Sequence, residues 1–264
     1  MGVDFPRQSQ SKGNKPTRDF VAPIVFQAAG PNASSIQSTV DAYRAALGDP
    51  LNGNTAGPLP GGRREINWDG GGANDTTTAP VTPFDVFLDT RGGQFTTPGT
   101  GLSQAPPSGG PQGGLAGLLD NPTYATTFRT FSALRLFAPV DSNVTEAFFF
   151  IPGTNGGDPA TVRGFGAVFT DVDQPDGSGP SKRPRRGSTL LEYFGVDGGL
   201  LFSSFVPASP GDGNLSFLGI VFNEPLVERV RITTGNVDLG PDDGGRNDIV
   251  VMDDFLYGEP QPIP

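Results

Sequence analysis

Aspartates cluster where a predicted strand ends, in the tract GFGAVFTDVDQPDG at 164–177. Asp171 and Asp173 are two residues apart, and strand side chains alternate with period two, so both carboxylates are expected on one face of the strand end. Asp176 follows in the next turn. Carboxylate and carbonyl oxygens are the ligands that Ca²⁺ prefers, although the glutamate that closes a helix–loop–helix calcium loop is missing here. The tract therefore predicts either a calcium site or a turn of solvated aspartates.

A second pair, Asp253 and Asp254, lies inside an apolar run in LGPDDGGRNDIVVMDDFLYGEP at 239–260. If 249–257 is a strand, alternation places one carboxylate on each apolar face. A buried carboxylate is costly unless it is paired, so each is expected to bind a metal, an arginine or backbone N–H groups. Arg229 and Arg231 on the preceding predicted strand are the arginine candidates.

The only tryptophan lies in a glycine-rich loop, REINWDGGG at 64–72. Such a loop could present the Trp68 ring to the face of a sugar, with Asp69 and Asn74 supplying hydrogen bonds. The alternative is that a lone tryptophan anchors the core. Both interpretations are open at this stage, and the first predicts a ligand site of Trp68, Asp69 and Asn74.

Composition excludes several kinds of chemistry. The 264 residues include no Cys and no His, which removes disulfides, thiolate nucleophiles, Ser-His-Asp triads and the usual zinc sites. Hard cations with oxygen ligands remain possible. The net charge of −10 opposes nucleic-acid binding as a main task, and no apolar stretch approaches the 18 residues or so of a membrane span.

Carboxylate pairs are what an enzyme would have to use. Glycosidases need two carboxylates about 5–10 Å apart, and the candidate pairs are Glu65 with Asp69 and Glu146 with Glu192. No GxSxG or phosphate-binding glycine loop is present. The basic tract SKRPRRG at 181–187 is expected to be an exposed insertion, with binding of acidic polymers as the alternative.

The elements that position these residues are mostly strands. Gly (39) and Pro (27) make up a quarter of the chain, too much for a helical bundle. One helix is predicted at 34–47, where Ile36, Val40, Tyr43 and Leu47 form an apolar stripe, and Ser34 with Gln37 has capping-box spacing. FDVFLDT at 84–90 is predicted to be a strand. Eight further strands are predicted at 130–138, 144–151, 162–172, 188–196, 200–206, 215–223, 227–234 and 249–257.

These elements predict a mostly β protein, an antiparallel jelly-roll β-sandwich with one N-terminal helix and long Gly/Pro-rich loops. The expected division is a flexible polar arm at 1–20, a loop-rich segment at 21–129 that packs on the sandwich, and the sandwich itself at 130–264. The first twenty residues have no apolar core and do not resemble a signal peptide.

The order of four tracts carries a resemblance. Secreted bacterial jelly-roll proteins have tracts of this kind in the same order. The four tracts here are GFGAVFTDVD, LLEYFGVDGGLLFSSFVP, LSFLGIVFNEPLVERVRITTG and IVVMDDFLYGEP. Over about 130–259 the chain resembles the lectin-like or galactose-binding-like sandwiches of the PEP-CTERM kind. The resemblance implies a structural calcium near the last strand, with Asp253 or Asp254 as ligands. The chain ends at GEPQPIP in place of that family's anchor helix and basic end, so we expect no membrane sorting by that route.

Three functions are compatible with these patterns. The first is a secreted or cell-surface, non-catalytic module that binds carbohydrate or extracellular matrix and is stabilised by calcium. The second is a structural subunit of an extracellular filament or coat, in which copies of the chain exchange a strand or arm. The third is a carboxylate-dependent glycan hydrolase or lyase.

Overall fold

Antiparallel strands form most of this fold, as the sequence predicts. The computed structural model describes residues 21–70, 80–110, 113–174 and 189–263. Its strands, in chain order, are β1 (Ile24–Gly30), β2 (Arg63–Ile66), β3 (Gly93–Thr96), β4 (Gly101–Ala105), β5 (Leu136–Val140), β6 (Val144–Phe149), β7 (Ala160–Thr161), β8 (Gly164–Thr170), β9 (Leu190–Phe194), β10 (Leu200–Phe205), β11 (Leu215–Val221), β12 (Arg229–Thr233), β13 (Val251–Gly258) and β14 (Gln261–Pro262).

Two main sheets contain these strands. The larger sheet has the order β1-β11-β8-β13-β5-β4, with β2 also paired to β13, and the smaller has the order β10-β9-β12-β6-β3. All strand pairs are antiparallel. The main core contains buried side chains from both sheets, for example Phe165 and Ile220 from one and Leu191 and Ile232 from the other. The described chain is therefore a mostly β, two-sheet structure consistent with a β-sandwich. Jelly-roll connectivity remains a prediction.

A single long helix, α1 (Ala33–Leu47), covers the other face of the larger sheet. Its buried residues are Ile36, Val40, Tyr43 and Leu47, the stripe that the sequence predicts. The capping residue is Asn32 and not Ser34, because the Asn32 side chain accepts a hydrogen bond from the Ser35 N–H. None of the helices in the described ranges is both long and apolar enough to cross a membrane.

Glycines in the larger sheet allow the helix to pack closely. A methyl group on Gly219 of β11 would lie 2.6 Å from the Tyr43 ring, and one on Gly166 of β8 would lie 2.8 Å from it. Both distances are shorter than real carbon contacts. The Tyr43 ring therefore sits directly on the backbone of two neighbouring strands.

The predicted strand at 84–90 is wrong. Phe84 makes an isolated bridge to Phe95, and the chain then turns into the short helix α2 (Leu88–Arg91). Phe84, Phe87 and Leu88 are buried, and their i, i+3, i+4 spacing is that of a helical turn and not of a strand. Gly92 in the left-handed conformation ends the helix.

The segment 21–129 contributes strands to both sheets. It supplies β1, β2 and β4 of the larger sheet and β3 of the smaller one. Two short helices, α3 (Gly114–Leu118) and α4 (Tyr124–Thr127), place Leu115 and Tyr124 in a side cluster with residues of β4, β5 and β13. The segment is part of the sheets as well as packed on them. The expected arm at 1–20 lies outside the described residues.

The Trp68 side chain anchors the core between the sheets. It is fully buried, and its ring stacks on Phe137 with the centroids 3.7 Å apart and the planes 3° from parallel. Four further phenylalanines present edges to it, namely Phe84, Phe87, Phe95 and Phe255. Of the two interpretations of Trp68, the core anchor is the one that matches its position. The buried ring offers no face to a sugar.

We expect Trp68→Ala to lower the free energy of unfolding by about 3–5 kcal/mol, because truncating a large buried aromatic leaves a cavity. Urea denaturation followed by circular dichroism measures the loss. The control is Val86→Ala, a truncation of a side chain that is 53% exposed, which should change stability by less than about 0.5 kcal/mol. Equal effects of the two substitutions would contradict the central position of Trp68.

Candidate metal centre

Three loops meet at one end of the larger sheet because of its strand order. β8 lies between β11 and β13 and is antiparallel to both. The end of β8 therefore lies beside the beginnings of β11 and β13. Asp171 directly follows β8, Asp212 precedes β11, and Asp243 precedes β13. The fold thus brings together carboxylates that are far apart in the sequence.

The three carboxylates are close enough to share one cation. One oxygen each from Asp171, Asp212 and Asp243 lies within 4.8 Å of the other two. Calcium binds oxygen at 2.3–2.6 Å, so two oxygens on one ion are at most about 5.2 Å apart. The separation fits a shared calcium ion.

Asp171 is the residue that distinguishes this centre from an ordinary acidic surface. Its side chain is fully buried, and neither carboxylate oxygen has a hydrogen-bond partner. Its backbone is in the left-handed region, with φ at 70°, which aspartate tolerates better than most residues. The Asp171 N–H donates to the Asn214 carbonyl, which ties the end of β8 to the loop before β11. A buried carboxylate without donors needs a cation or a proton.

Asp173 and Asp248 extend the cluster and hold the loops together. The Asp173 N–H donates to an Asp248 oxygen at 3.1 Å, and the Gly211 N–H donates to the Asp173 carboxylate at 2.8 Å. The second oxygen of Asp248 is buried and has no partner. No arginine or lysine of the described ranges forms an ion pair with any of the five aspartates.

Burial and repulsion between carboxylates raise the pKa of Asp171, Asp243 and Asp248. Burial, and then the charges of Asp243, Asp173, Asp212 and Asp248, raise the pKa of Asp171 to about 9. Burial and the charges of Asp173 and Asp243 raise the pKa of Asp248 to about 7, and burial also raises the pKa of Asp243. Without a cation, Asp171 is protonated at neutral pH. A bound divalent ion would displace that proton.

Carboxylate oxygens are among the donors that a hard divalent cation prefers. Asp171, Asp212 and Asp243 would hold the ion directly, and the free oxygen of Asp248 is the next available donor. The predicted pair Asp171 and Asp173 is thus brought together with three more aspartates. Sequence reasoning missed Asp212, Asp243 and Asp248. The sequence does show an Asp-rich turn before each of the two strands that flank β8. These turns point to a shared site only when the strand order is known.

Asp253 and Asp254 occupy a different environment from the one predicted. The register of β13 against β8 shifts between Met252 and Phe255, so the pair sits at a bulge. Both carboxylates consequently reach the same loop instead of opposite faces. Asp253 accepts from the Phe131 N–H at 2.6 Å, and Asp254 accepts from the Ser132 hydroxyl at 2.7 Å.

These hydrogen bonds supply the partners that the sequence analysis gives as the alternative to a metal for this pair. Asp254 also lies 3.8 Å from the Arg44 guanidinium, whereas the expected partners Arg229 and Arg231 both pair with Glu146. Burial, and then the charge of Asp254, raise the pKa of Asp253 well above its ordinary value. The N–H and arginine alternative describes the pair, with Arg44 as the arginine.

The remaining candidate ligand residues are dispersed. Asp69 is half-buried and accepts a hydrogen bond from the Arg135 N–H at 3.1 Å. Burial raises its pKa. Asn74 lies outside the described residues, as do Asp176 and the basic tract at 181–187. Trp68, Asp69 and Asn74 are therefore not assembled into a site by the part of the chain that the structure describes.

In each candidate catalytic pair, at least one glutamate is engaged in ion pairs. Glu65 is held by Arg44 and Arg63. Glu146 is held between Arg229 and Arg231, and Arg231 is the cross-strand neighbour of both Glu146 and Glu192.

Comparison with known proteins adds no assignment. No protein-family model matches this chain, and no curated protein matches it. The chemistry of the centre therefore rests on its own residues.

In the absence of divalent ions, we expect the stability of the protein to fall as the pH rises from about 5 to about 9. The folded-state pKa of Asp171 is about 9 and that of Asp248 about 7, both above the unfolded value near 4. The native state thus binds more protons than the unfolded state in this window, and stability falls as they are lost. Thermal unfolding in EDTA at several pH values measures this slope.

Asp171→Asn provides the matched variant for this test. The amide has the same shape and no charge, so the slope should flatten and the ion-free variant should melt above the unsubstituted protein at pH 8. Asp158→Asn, at an exposed loop position, is the control and should leave the slope unchanged. If Asp171→Asn lost stability with pH as steeply as the unsubstituted protein, repulsion at this centre would not be the cause of the pH dependence.

Proposed function

We propose that this protein is a calcium-stabilised, non-catalytic β-sandwich module that binds carbohydrate or matrix outside the cell. The observation that carries the calcium part is the buried Asp171 carboxylate, which has no protein donor and faces four other aspartates. The ion would neutralise the cluster and fix three loops at one end of the sandwich. An extracellular setting would suit such a centre, since millimolar calcium outside cells fills even weak sites.

The carbohydrate part is supported by an open cleft of about 450 Å³ beside α1. Its polar lining includes Gln37, Arg44, Glu65, Asn67 and Asp254. Arg44 donates to Glu65 at 3.0 Å and lies 3.8 Å from Asp254, so the charges largely compensate one another. Charged side chains that neutralise one another suit an uncharged polyhydroxy ligand, because they offer hydrogen-bond donors and acceptors without a net charge.

An aromatic side chain completes this polar cleft. Phe131 is partly buried and lines the cleft beside Ser132. The hydrogen bonds from the Phe131 N–H and the Ser132 hydroxyl to the Asp253–Asp254 pair fix the position of this loop. An aromatic face next to fixed polar groups is a common basis for binding a sugar ring.

A second candidate, self-association, is favoured by the sheet edges. β1 and β10 are edge strands, and Ile24 (60% exposed), Val25 (41%) and Leu200 (55%) lie on them. Exposed apolar edge strands are templates for pairing with another chain. A filament or coat subunit would use them, and assembly of the purified protein in sedimentation experiments would favour this candidate over a monomeric binding module.

Calcium in excess should raise the melting temperature relative to EDTA. A ligand at a hundredfold excess over its Kd stabilises the native state by about 2.7 kcal/mol, which corresponds to about 2–4 °C for a chain of this size. Asp212→Asn and Asp243→Asn should each reduce the calcium response, and Asp158→Asn should retain it. An identical melt in EDTA and in calcium at pH 7.5 would refute the calcium centre.

Affinity electrophoresis in gels containing mannan, xylan or β-glucan tests the carbohydrate part. We expect retardation in at least one gel, and its loss in Gln37→Ala and Asn67→Ala, which remove cleft donors near the surface. Gln94→Ala, on β3 of the other sheet, is the control. Mobility unchanged in all three gels, or retardation that both cleft variants keep, would exclude this cleft as the binding site for these glycans.

A further inference from the structure

A second cleft, distinct from both sites above, opens beside the C-terminal end of α1. Its volume is about 460 Å³, within the range of ligand pockets. Leu47, Pro60 and Pro225 provide apolar walls, and Asn223 and Gln261 provide side-chain amides. We refer to it below as the Arg163 cleft, because Arg163 is the cation in its lining.

Arg163 is half-buried, and its side chain has no hydrogen-bond or ion-pair partner among the residues that the structure describes. Its Nε is buried and has no hydrogen-bond acceptor, and none of the acidic residues that the structure describes lies within 4.0 Å of its guanidinium. By contrast, Arg44 and Arg64 are each paired with a glutamate. Arg163 is the arginine of the described ranges whose guanidinium has a buried nitrogen without an acceptor.

The one carboxylate that lines the Arg163 cleft is already used elsewhere. Glu259 is buried and forms two bonds with Arg64, at 2.6 and 2.7 Å. Its oxygens also accept from the Asn52 amide and the Leu59 N–H. Four donors thus saturate Glu259, and it leaves the charge of Arg163 uncompensated.

The position of Arg163 is fixed by the backbone beneath it. A methyl group on Gly258 of β13 would lie only 2.7 Å from the Arg163 Cγ, so the aliphatic stem lies directly on the glycine. The Arg163 carbonyl accepts from the Phe222 N–H at 2.7 Å. The guanidinium is therefore presented on a short, supported stem, which lowers the entropy lost when it binds a ligand.

We propose that the Arg163 cleft binds a carboxylate group, either on a uronic acid residue or on a small free acid. Guanidinium binds carboxylate through two parallel hydrogen bonds. The Asn223 amide and the Gln261 side-chain oxygen can serve neighbouring hydroxyl groups, while the Gln261 nitrogen donates to the Leu59 carbonyl at 2.8 Å. Leu47 and the two prolines supply apolar contact for a ring. The inference does not depend on the calcium centre or on the cleft lined by Arg44 and Glu65.

Isothermal titration of the calcium-saturated protein with D-glucuronate, D-glucose and acetate tests the proposal. We expect D-glucuronate to bind and D-glucose to bind at least about tenfold more weakly, the equivalent of about 1.4 kcal/mol for the lost ion pair. Acetate binding as tightly as D-glucuronate would support the carboxylate site and identify a small acid as its ligand. D-glucose binding as tightly as D-glucuronate, or no binding of any probe, would overturn the proposal.

Substitutions assign the binding to Arg163. Arg163→Gln should abolish the preference for D-glucuronate over D-glucose, and Arg163→Lys should retain part of it, since lysine keeps the charge but not the paired geometry. Arg246→Gln, at an exposed arginine, is the control. If Arg163→Gln does not fold, Gly258→Ala displaces the stem and should weaken D-glucuronate binding with the charge retained. Full D-glucuronate affinity in a folded Arg163→Gln protein would refute the assignment.

Discussion

The burial of β8 on both faces is the constraint on which the rest of the structure depends. Its seven residues are all buried, with the smaller sheet on one side and α1 on the other. A strand in this position needs apolar side chains on both faces and small residues where another element approaches closely. GFGAVFT meets both demands, since Gly166 receives the Tyr43 ring while Phe165, Ala167 and Phe169 enter the main core. The helix, the two sheets and the aromatic cluster around Trp68 are all arranged around this strand.

The same burial explains the acidic centre. A residue that directly follows a doubly buried strand is still inside the protein, so Asp171 is removed from water although it belongs to a turn. The flanking strands then bring their own Asp-rich turns to the same end of the sheet. Desolvation and repulsion act together there, and both favour a proton or a cation. None of the five neighbouring aspartates has an arginine or lysine ion-pair partner in the described ranges, and this lack of internal salt bridges is what supports the proposed ion.

Much of the fold could be predicted from the sequence, but much of the site could not. Alternation and turn residues located most strands after 140, and the apolar stripe located α1, because these signals are local. The strand predicted at 130–138 is wrong over 130–135, where the chain forms a loop before β5. The strand at 84–90 was wrong because the same apolar residues fit a helical turn, and the neighbouring residues that decide between the two are distant in the chain. Asp171 was found because it ends a clear strand. Asp212 and Asp243 were missed because their proximity to it depends on strand order, which local patterns do not encode.

Asp171 and the Asp253–Asp254 pair are buried carboxylates with different surroundings. All three have raised pKa values, and all three have other carboxylates as neighbours. The difference lies in the donors around them. The Phe131 N–H and the Ser132 hydroxyl point at Asp253 and Asp254, and the bulge in β13 directs both carboxylates toward that loop. Neither Asp171 oxygen has a hydrogen-bond partner in the described ranges, and its charged neighbours are aspartates. Residue type, burial and a raised pKa are therefore common to both places, whereas an inventory of hydrogen-bond donors separates them, and the same criterion marks Arg163 as a guanidinium with no acid within 4.0 Å in those ranges.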